Sequence, residues 1–187
     1  MAGFGAANPR WAPITSEPIG TLPEYGAPVT IGRMVKADRT IQYASGKLYA
    51  DNELAESVDE FVSATVAEET DDILDEVAGK IYGATVEGKK VRYQAGDTAP
   101  YGGHTYYKVY MRNGEKVFKG YFYPKVKAVM GNDTAQSKTD SITFSTAATT
   151  FTVFRSGSDD WCITEILETE AEAIEWCDEM LNPTSGG

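Results

Sequence analysis

Few residues in this sequence are of the types that carry out catalysis or bind metals. There is one histidine, His104, and the two cysteines, Cys162 and Cys177, stand far apart in the chain. A Ser-His-Asp or Cys-His arrangement would have to use His104, and no Gly-x-Ser-x-Gly sequence marks a nucleophile. No spacing typical of a zinc site or a calcium loop occurs. We therefore expect no catalytic residues, no metal and no cofactor.

The remaining candidates for chemistry each have a simpler structural interpretation. His104 follows Tyr101-Gly102-Gly103 and is interpreted as a turn residue before a strand, and both cysteines as small core residues. Acidic residues are plentiful enough for a glycosidase pair, but nothing marks a particular pair. The aromatic and basic residues of 106–112 and 121–123 fit either stacking on single-stranded nucleic acid or a half-buried sheet face, and the sequence favours the sheet.

Charge is strongly segregated along the 187 residues, whose formal net charge is −11. Residues 51–87 carry −11, residues 88–130 carry +7, and residues 158–187 carry −9 with no basic residue. An excess of acidic residues argues against a general nucleic-acid clamp. Two interpretations stay open: solvated faces within one fold, or opposite-signed surfaces that meet between copies of the chain. No apolar run reaches 18 residues, so we expect neither a transmembrane helix nor a membrane anchor.

Short alternating segments predict a mainly β protein with two flanking helices. Asn113-Gly114 predicts a hairpin between 105–112 and 115–123, and Glu87-Gly88 predicts another turn. Further strands are expected in these segments: 29–35, 40–43, 61–66, 126–130, 141–145, 150–154 and 161–163. Ser45-Gly46 is interpreted as a turn. A short helix is expected over 70–79, capped by Thr70 and ended by Gly79. The second helix, 169–181, has a capping box at Thr169 and Glu172.

The first 28 residues contain five of the eight prolines. Because proline disrupts both helices and strand ladders, this spacing predicts an extended arm rather than a regular element. Its large apolar side chains need a surface to pack on, either the arm's own domain or a neighbouring copy. We take Trp11, Ile14 and Tyr25 as anchors of this arm, and residues 182–187 as a flexible tail.

From residue 28 to 181 the order of features resembles the major tail proteins of long, non-contractile bacteriophage tails. The matching segments are Tyr49-Ala50-Asp51-Asn52, the acidic helix ending in Ala78-Gly79, Ala99-Pro100-Tyr101, residues 123–128, residues 138–146, and Trp161 with a helix bearing Trp176. The resemblance implies a tail-tube fold: a β-sandwich or partly open barrel over residues 29–181, with one short internal helix and one C-terminal helix.

The resemblance also implies self-assembly. In that family, six copies join their sheets edge to edge into a ring, the rings stack into a tube, and a long loop reaches the next ring. Carried onto this chain, the inter-ring loop is residues 36–60, with contacts expected from Tyr43, Tyr49, Asp51, Asn52 and Glu53. Joining sheets removes exposed edges, which agrees with the physics of open β-sheets.

The implied partners are other copies of this chain, a tape measure protein, a tail terminator and distal tail or baseplate proteins. Double-stranded DNA would be a transient cargo without sequence-specific binding, because an acidic lumen repels phosphate. The expected location is the virion tail, after assembly in the host cytoplasm. The alternative is a phage decoration or host-surface binding module built on a β-sandwich, which would present a concave site and need no polymer.

Overall fold

A computed structural model describes residues 2–50, 53–132 and 145–182. Within those residues the chain forms eleven strands and two helices. In chain order they are β1 Ala2–Ser16, β2 Glu24–Tyr25, β3 Val29–Thr30, β4 Met34–Ala50, β5 Glu53–Thr70, α1 Asp75–Tyr82, β6 Thr85–Glu87, β7 Lys90–Arg92, β8 Tyr101–Arg112, β9 Glu115–Met130, β10 Ala147–Val153, β11 Ile163–Leu167 and α2 Glu170–Leu181. The prediction of a mainly β protein with a short internal helix and a C-terminal helix is confirmed.

Nine of the described strands belong to one antiparallel sheet, which is not closed into a barrel. Its order is β2-β1-β8-β9-β10-β5-β4, with β3 also paired to β1 and β11 paired to β9 beside β10. The sheet curls over one of its faces. This curl is shown by a hydrogen bond from the Lys108 ammonium of β8 to the Ala37 carbonyl of β4 (3.3 Å), two strands that are separated by three others in the sheet. Strands β6 and β7 form a separate two-stranded sheet.

The curled sheet has an apolar cluster on each face. The inner cluster includes Trp11, Ile81 and Phe151, all essentially inaccessible to solvent. On the other face α2 packs Trp176 and Leu181 against the strands. Trp176 lies directly over Gly120, where an added Cβ would stand 2.4 Å from a ring carbon. A glycine is therefore required for α2 to approach β9 this closely.

Several local predictions are confirmed. Asn113 and Gly114 have φ angles of 53° and 86°, the left-handed conformations expected of a two-residue hairpin turn between β8 and β9. The turn at Glu87-Gly88 joins β6 to β7. The capping box of α2 is present: the Thr169 hydroxyl accepts from the Glu172 N–H (3.2 Å), and the Glu172 carboxylate accepts from the Thr169 N–H (3.1 Å).

The prediction that prolines exclude a strand from the first 28 residues is wrong. Strand β1 pairs with β8 from Ala2 to Pro13, so most of the expected arm is an integral part of the sheet. Pro9 is accommodated because the register shifts between Ala7 and Arg10, and Pro13 is the last residue of the ladder, opposite Gly102. The carbonyls of Pro9 and Pro13 still accept hydrogen bonds from Ile31 and Gly26. Proline is tolerated at such bulges, where its missing N–H is not needed.

The internal helix begins and ends later than predicted. Thr70 remains in β5, where it pairs with Ala147 of β10, so it does not cap the helix. The described helix α1 ends at Tyr82 and is followed by Gly83, whose φ of 75° suits a left-handed C-cap, while Gly79 is buried inside the helix. The ladder to β10 satisfies the backbone of Thr70, and the strand therefore includes the residue that resembles a cap.

The segment predicted as a loop, residues 36–60, is not a loop in its described part. Strands β4 and β5 form a continuous antiparallel hairpin through it, and the predicted turn at Ser45-Gly46 lies inside β4. The predicted strand at 29–35 is interrupted between Thr30 and Met34. The predicted strand 141–145 lies almost wholly outside the described residues, and the predicted tail 182–187 lies beyond them except for Asn182.

Candidate assembly interface

The distal half of the β4–β5 hairpin extends beyond the rest of the sheet. The ladder between β10 and β5 ends at Val153 and Ala64, and Ile41 of β4 lies opposite Ala64. Past this point the described residues 42–50 and 53–63 pair only with each other. We call these residues the ribbon. At about 3.3 Å per residue, its nine-residue β4 strand extends roughly 30 Å.

Large apolar side chains on the ribbon are more than half exposed. The exposed fraction is 63% for Tyr49, 60% for Leu48 and 51% for Val58, and Tyr43 and Leu54 are exposed to a similar degree. A two-stranded hairpin is marginally stable in water by itself, and it normally needs a hydrophobic face covered by another element. Clustered apolar exposure of this kind is typical of a protein–protein contact surface.

The register assigns these side chains to two faces of the ribbon. On one face Tyr43 lies opposite Phe61, and Tyr49 lies opposite Leu54. The hydroxyl of Ser45 donates to the Asp59 carboxylate (2.5 Å) on this same face. The other face carries Leu48 and Val58, and each of them lies near a glutamate. Because both faces are partly apolar, the ribbon can be covered from two sides at once.

The ribbon is acidic as well as apolar. It contains one basic residue, Lys47, and the acidic residues Glu53, Glu56, Asp59 and Glu60. Among the described side chains, the carboxylates of Glu56, Asp59 and Glu60 take part in no salt bridge. An acidic, apolar ribbon favours a partner surface that is both basic and apolar.

The base of the ribbon is held firmly by aromatic packing. The rings of Phe61 and Trp161 stack with their centroids 4.6 Å apart and an interplanar angle of 12°. The Arg39 guanidinium lies 5.8 Å from the Trp161 ring and 5.6 Å from the Tyr121 ring. Such cation–π contacts add to the stacking. The ribbon therefore begins from a rigid attachment, and the exposed side chains lie beyond it.

The structure brings together some of the predicted contact residues. Tyr43 and Tyr49 both lie on the ribbon, on the same face. Glu53 pairs through its backbone with Ala50, and Asp51 and Asn52 lie outside the described residues. The alternation of Tyr43, Ser45, Lys47 and Tyr49 is a signal for a strand, but Ser45-Gly46 was interpreted as a turn and the resemblance implied a loop.

The predicted arm anchors lie elsewhere and pack within the chain. Trp11 is 1% exposed in the inner cluster, and Ile14 of β1 is half-buried and pairs with Tyr25 of β2. The Tyr25 hydroxyl donates to the Pro124 carbonyl (2.7 Å), and its ring meets Phe122 edge to face. The anchors were expected to pack either on their own domain or on a neighbouring copy, and they pack on their own domain.

Two edges of the sheet are unpaired along several residues. In the described part of the chain, β4 has no partner on the side away from β5. Residues 2–8 of β1 pair with β8 on one side, whereas β2 and β3 begin their pairing only at Arg10 and beyond. Open edges present rows of unpaired N–H and carbonyl groups, which another chain can join.

His104 is a buried strand residue, so its interpretation as a turn residue is wrong. Its ring is stacked on Phe151 with centroids 4.4 Å apart. Nε2 lies 2.5 Å from the Glu68 carboxylate, and Nδ1 lies 2.9 Å from the Arg10 carbonyl. Glu68 is 2% exposed. The pair joins β5 to β8 across the core, which indicates a structural role, and no feature of the sequence distinguishes Glu68 from the surrounding acidic residues.

The aromatic cluster considered for nucleic-acid stacking is mostly internal. Tyr106, Tyr107 and Tyr123 are at most 2% exposed, and Phe122 is fully buried. Burial raises the pKa of the Tyr106 and Tyr123 hydroxyls far above the ordinary value. Because their faces are covered by protein, these rings are unavailable for stacking on bases.

The two cysteines lie in different clusters, on opposite faces of the sheet, and both are free thiols. Cys162 packs beside the inner cluster, and Cys177 is buried under α2. Burial raises the pKa of Cys177 to about 11, and it also raises the pKa of Cys162. Both thiols therefore stay protonated at neutral pH, as expected of core residues.

No protein-family model matches this chain, and a search of curated proteins gave no match. Among the described residues, no helix is long and apolar enough to cross a membrane.

Proposed function

We propose that this chain is a structural subunit of a phage tail tube, in which copies join laterally into rings and the rings stack. The observation that carries the proposal is the ribbon, an acidic and apolar two-stranded projection whose large apolar side chains beyond the Phe61–Trp161 stack are more than half exposed. A projection of this kind has no function in an isolated molecule, because its exposed apolar surface favours aggregation unless a specific partner covers it.

The open edges support the lateral half of the proposal. The outer edge of β4 and residues 2–8 of β1 lie at opposite ends of the strand order, and within one chain parts of β1 and β4 approach each other without pairing. Pairing β4 of one copy with β1 of the next would continue the sheet from subunit to subunit. Such a head-to-tail contact closes into a ring when its rotation allows, and closure removes every exposed edge.

The charge supports a conduit for DNA rather than a DNA-binding protein. The net charge of −11 per copy is multiplied by the number of copies in each ring. Phosphate repulsion would let genome DNA pass as cargo without being held. A tape measure protein inside the tube, a terminator at one end and distal tail or baseplate proteins at the other are the remaining proposed partners, in a virion tail assembled in the host cytoplasm.

The first experiment asks whether the chain polymerises. The purified protein, at rising concentration, is followed by light scattering and imaged by negative-stain electron microscopy. We expect rings or tubes. If the protein stays monomeric at every concentration and instead binds a small ligand or cell-surface glycan saturably, the alternative of a decoration or host-surface binding module is correct and the tail-tube proposal is wrong.

A shortened ribbon tests its role. Residues 45–59 are replaced by Asn-Gly, which closes a two-residue turn on the cross-strand pair of Ala44 and Glu60. The variant keeps the stack of Phe61 on Trp161. We expect the shortened protein to stay folded, with a cooperative unfolding transition in circular dichroism, and to form rings but no stacked tubes. Tubes of normal length from this variant would show that the ribbon does not mediate stacking.

A further inference from the structure

We infer that the ribbon of one copy seats in the depression beside the β6–β7 hairpin of another copy, so that the two contact surfaces repeat along the tube axis. The inference rests on the proposed function and names the surface that receives the ribbon. Three features carry it: the position of the two surfaces at opposite ends of β5, their apolar exposure, and their opposite charge.

The ribbon and the depression lie at opposite ends of β5. The ribbon includes the beginning of β5, whereas α1 starts five residues after β5 ends at Thr70. At about 3.3 Å per residue, the 18 residues of β5 separate these ends by roughly 60 Å. The ribbon therefore cannot fold back onto the β6–β7 hairpin of its own chain. A contact between opposite ends of identical molecules is heterologous, and when it does not close it builds a filament.

The receiving surface is a depression of about 540 Å³ between α1 and the β6–β7 hairpin, lined by Glu76, Gly79, Lys80, Ala84, Val86 and Gly88. Val86 is 37% exposed, and α1 approaches it closely because Gly79 has no side chain. Strands β6 and β7 have three residues each and pair only with each other in the described chain. So short a hairpin needs further cover to be stable. The depression offers an apolar floor for Leu48 or Tyr49.

Charge distinguishes this surface from the groove beside α2. Lys80, Lys89 and Lys90 are exposed around the depression and have no ion pair among the described residues, while Arg92 pairs with Glu87 (3.6 Å). The groove beside α2, by contrast, is lined by Glu175, Asp178 and Glu179 with Arg10 as its one base, which pairs with Asp178 (3.0 Å), so the remaining acidic charge would repel the acidic ribbon. Opposite charges fix register between surfaces that already fit.

Cross-linking tests the pairing directly. Two single variants, Tyr49→Cys and Val86→Cys, are purified, mixed under assembly conditions and oxidised. We expect a disulfide-linked dimer on a non-reducing gel from the mixture and much less from either variant alone. Tyr49→Cys mixed with Asn113→Cys is the matched control, because Asn113 lies in the exposed turn of the basic β8–β9 hairpin. Cross-linking to Asn113 instead of Val86 would overturn the inference and identify that turn as the receiving surface.

Charge reversal gives an independent measurement. The ribbon variant Glu56→Lys/Glu60→Lys and the hairpin variant Lys89→Glu/Lys90→Glu should each raise the polymerisation concentration about tenfold at 0.15 M salt, where charges interact over about 8 Å. The combination of all four substitutions should restore growth. Lys116→Glu, in the basic β8–β9 hairpin, should leave it unchanged.

The outcomes separate this inference from the proposed function. Tubes that grow normally in all charge variants and give no Tyr49–Val86 cross-link overturn the docking surface but leave the tail-tube proposal intact. A specific cross-link in dimers that never extend to rings or tubes supports the docking surface and contradicts the tail tube. A chain that stays monomeric at every concentration, with no cross-link, overturns both.

Discussion

The ribbon provides the most direct quantitative prediction, because its apolar side chains are exposed in the monomer and buried in the proposed assembly. Replacing Leu48 and Tyr49 together by serine removes two side chains that are 60% and 63% exposed. Complete burial of a large apolar side chain is worth about 1.5–3 kcal/mol, so the exposed part of each still has about 1–2 kcal/mol to gain. The double variant therefore forfeits about 3 kcal/mol of association free energy.

That loss corresponds to roughly a hundredfold rise in the protein concentration at which polymers appear. The monomer should be nearly unaffected, within about 0.5 kcal/mol in urea denaturation, because neither side chain supports the core. Light scattering across a concentration series measures the first quantity, and circular dichroism in urea measures the second. The assay thus separates a loss of association from a loss of folding.

Ile19→Ser is the matched control for this experiment. Ile19 is 97% exposed, but it lies between β1 and β2 rather than on the ribbon. Its substitution removes an equally large apolar group and should leave polymerisation unchanged. If the ribbon double variant polymerises at the concentration of the unchanged protein, or if Ile19→Ser is equally impaired, the ribbon is not a specific contact surface.

Three further predictions concern the stability of the fold. Gly120→Ala should lower the free energy of unfolding in urea by about 1–3 kcal/mol, because the added Cβ collides with Trp176. Glu68→Ala should lower it by about 3–5 kcal/mol by leaving His104 without its buried partner, and Glu68→Gln should lower it less. Burial raises the pKa of Cys177 from 9.0 to about 11, so its contribution to the free energy of unfolding is complete below pH 9 and is lost as the pH rises to about 11. Cys177→Ala should flatten this decline.

Each of these predictions can be contradicted by one result. A fully stable Gly120→Ala protein would mean that α2 does not pack on β9 as described. Equal losses from Glu68→Ala and Glu68→Gln would mean that the hydrogen bond to the ring does not matter. An unchanged pH dependence in Cys177→Ala would assign the alkaline decline to the buried tyrosines, whose raised pKa values act in the same direction.

Local signals in the sequence determined those elements whose backbone geometry depends on neighbouring residues. Asn113-Gly114 adopts left-handed conformations at little cost, and so it identified the β8–β9 turn. Thr169 and Glu172 satisfy the first N–H groups of α2 without help from the rest of the chain. The mainly β class followed from alternation, which needs no long-range information.

Tertiary structure decided the rest, because long-range partners outweigh local preference. Pro9 and Pro13 oppose a strand locally, yet β8 provides a ladder in which a bulge accommodates Pro9 and the last pair accommodates Pro13. Thr70 resembles a helix cap, but β10 holds it in β5. His104 and Glu68 are 36 residues apart in sequence, and only the curled sheet places them in contact. The ribbon is the clearest case: exposure of Leu48 and Tyr49 depends on where the neighbouring strand β10 stops, which no local pattern encodes.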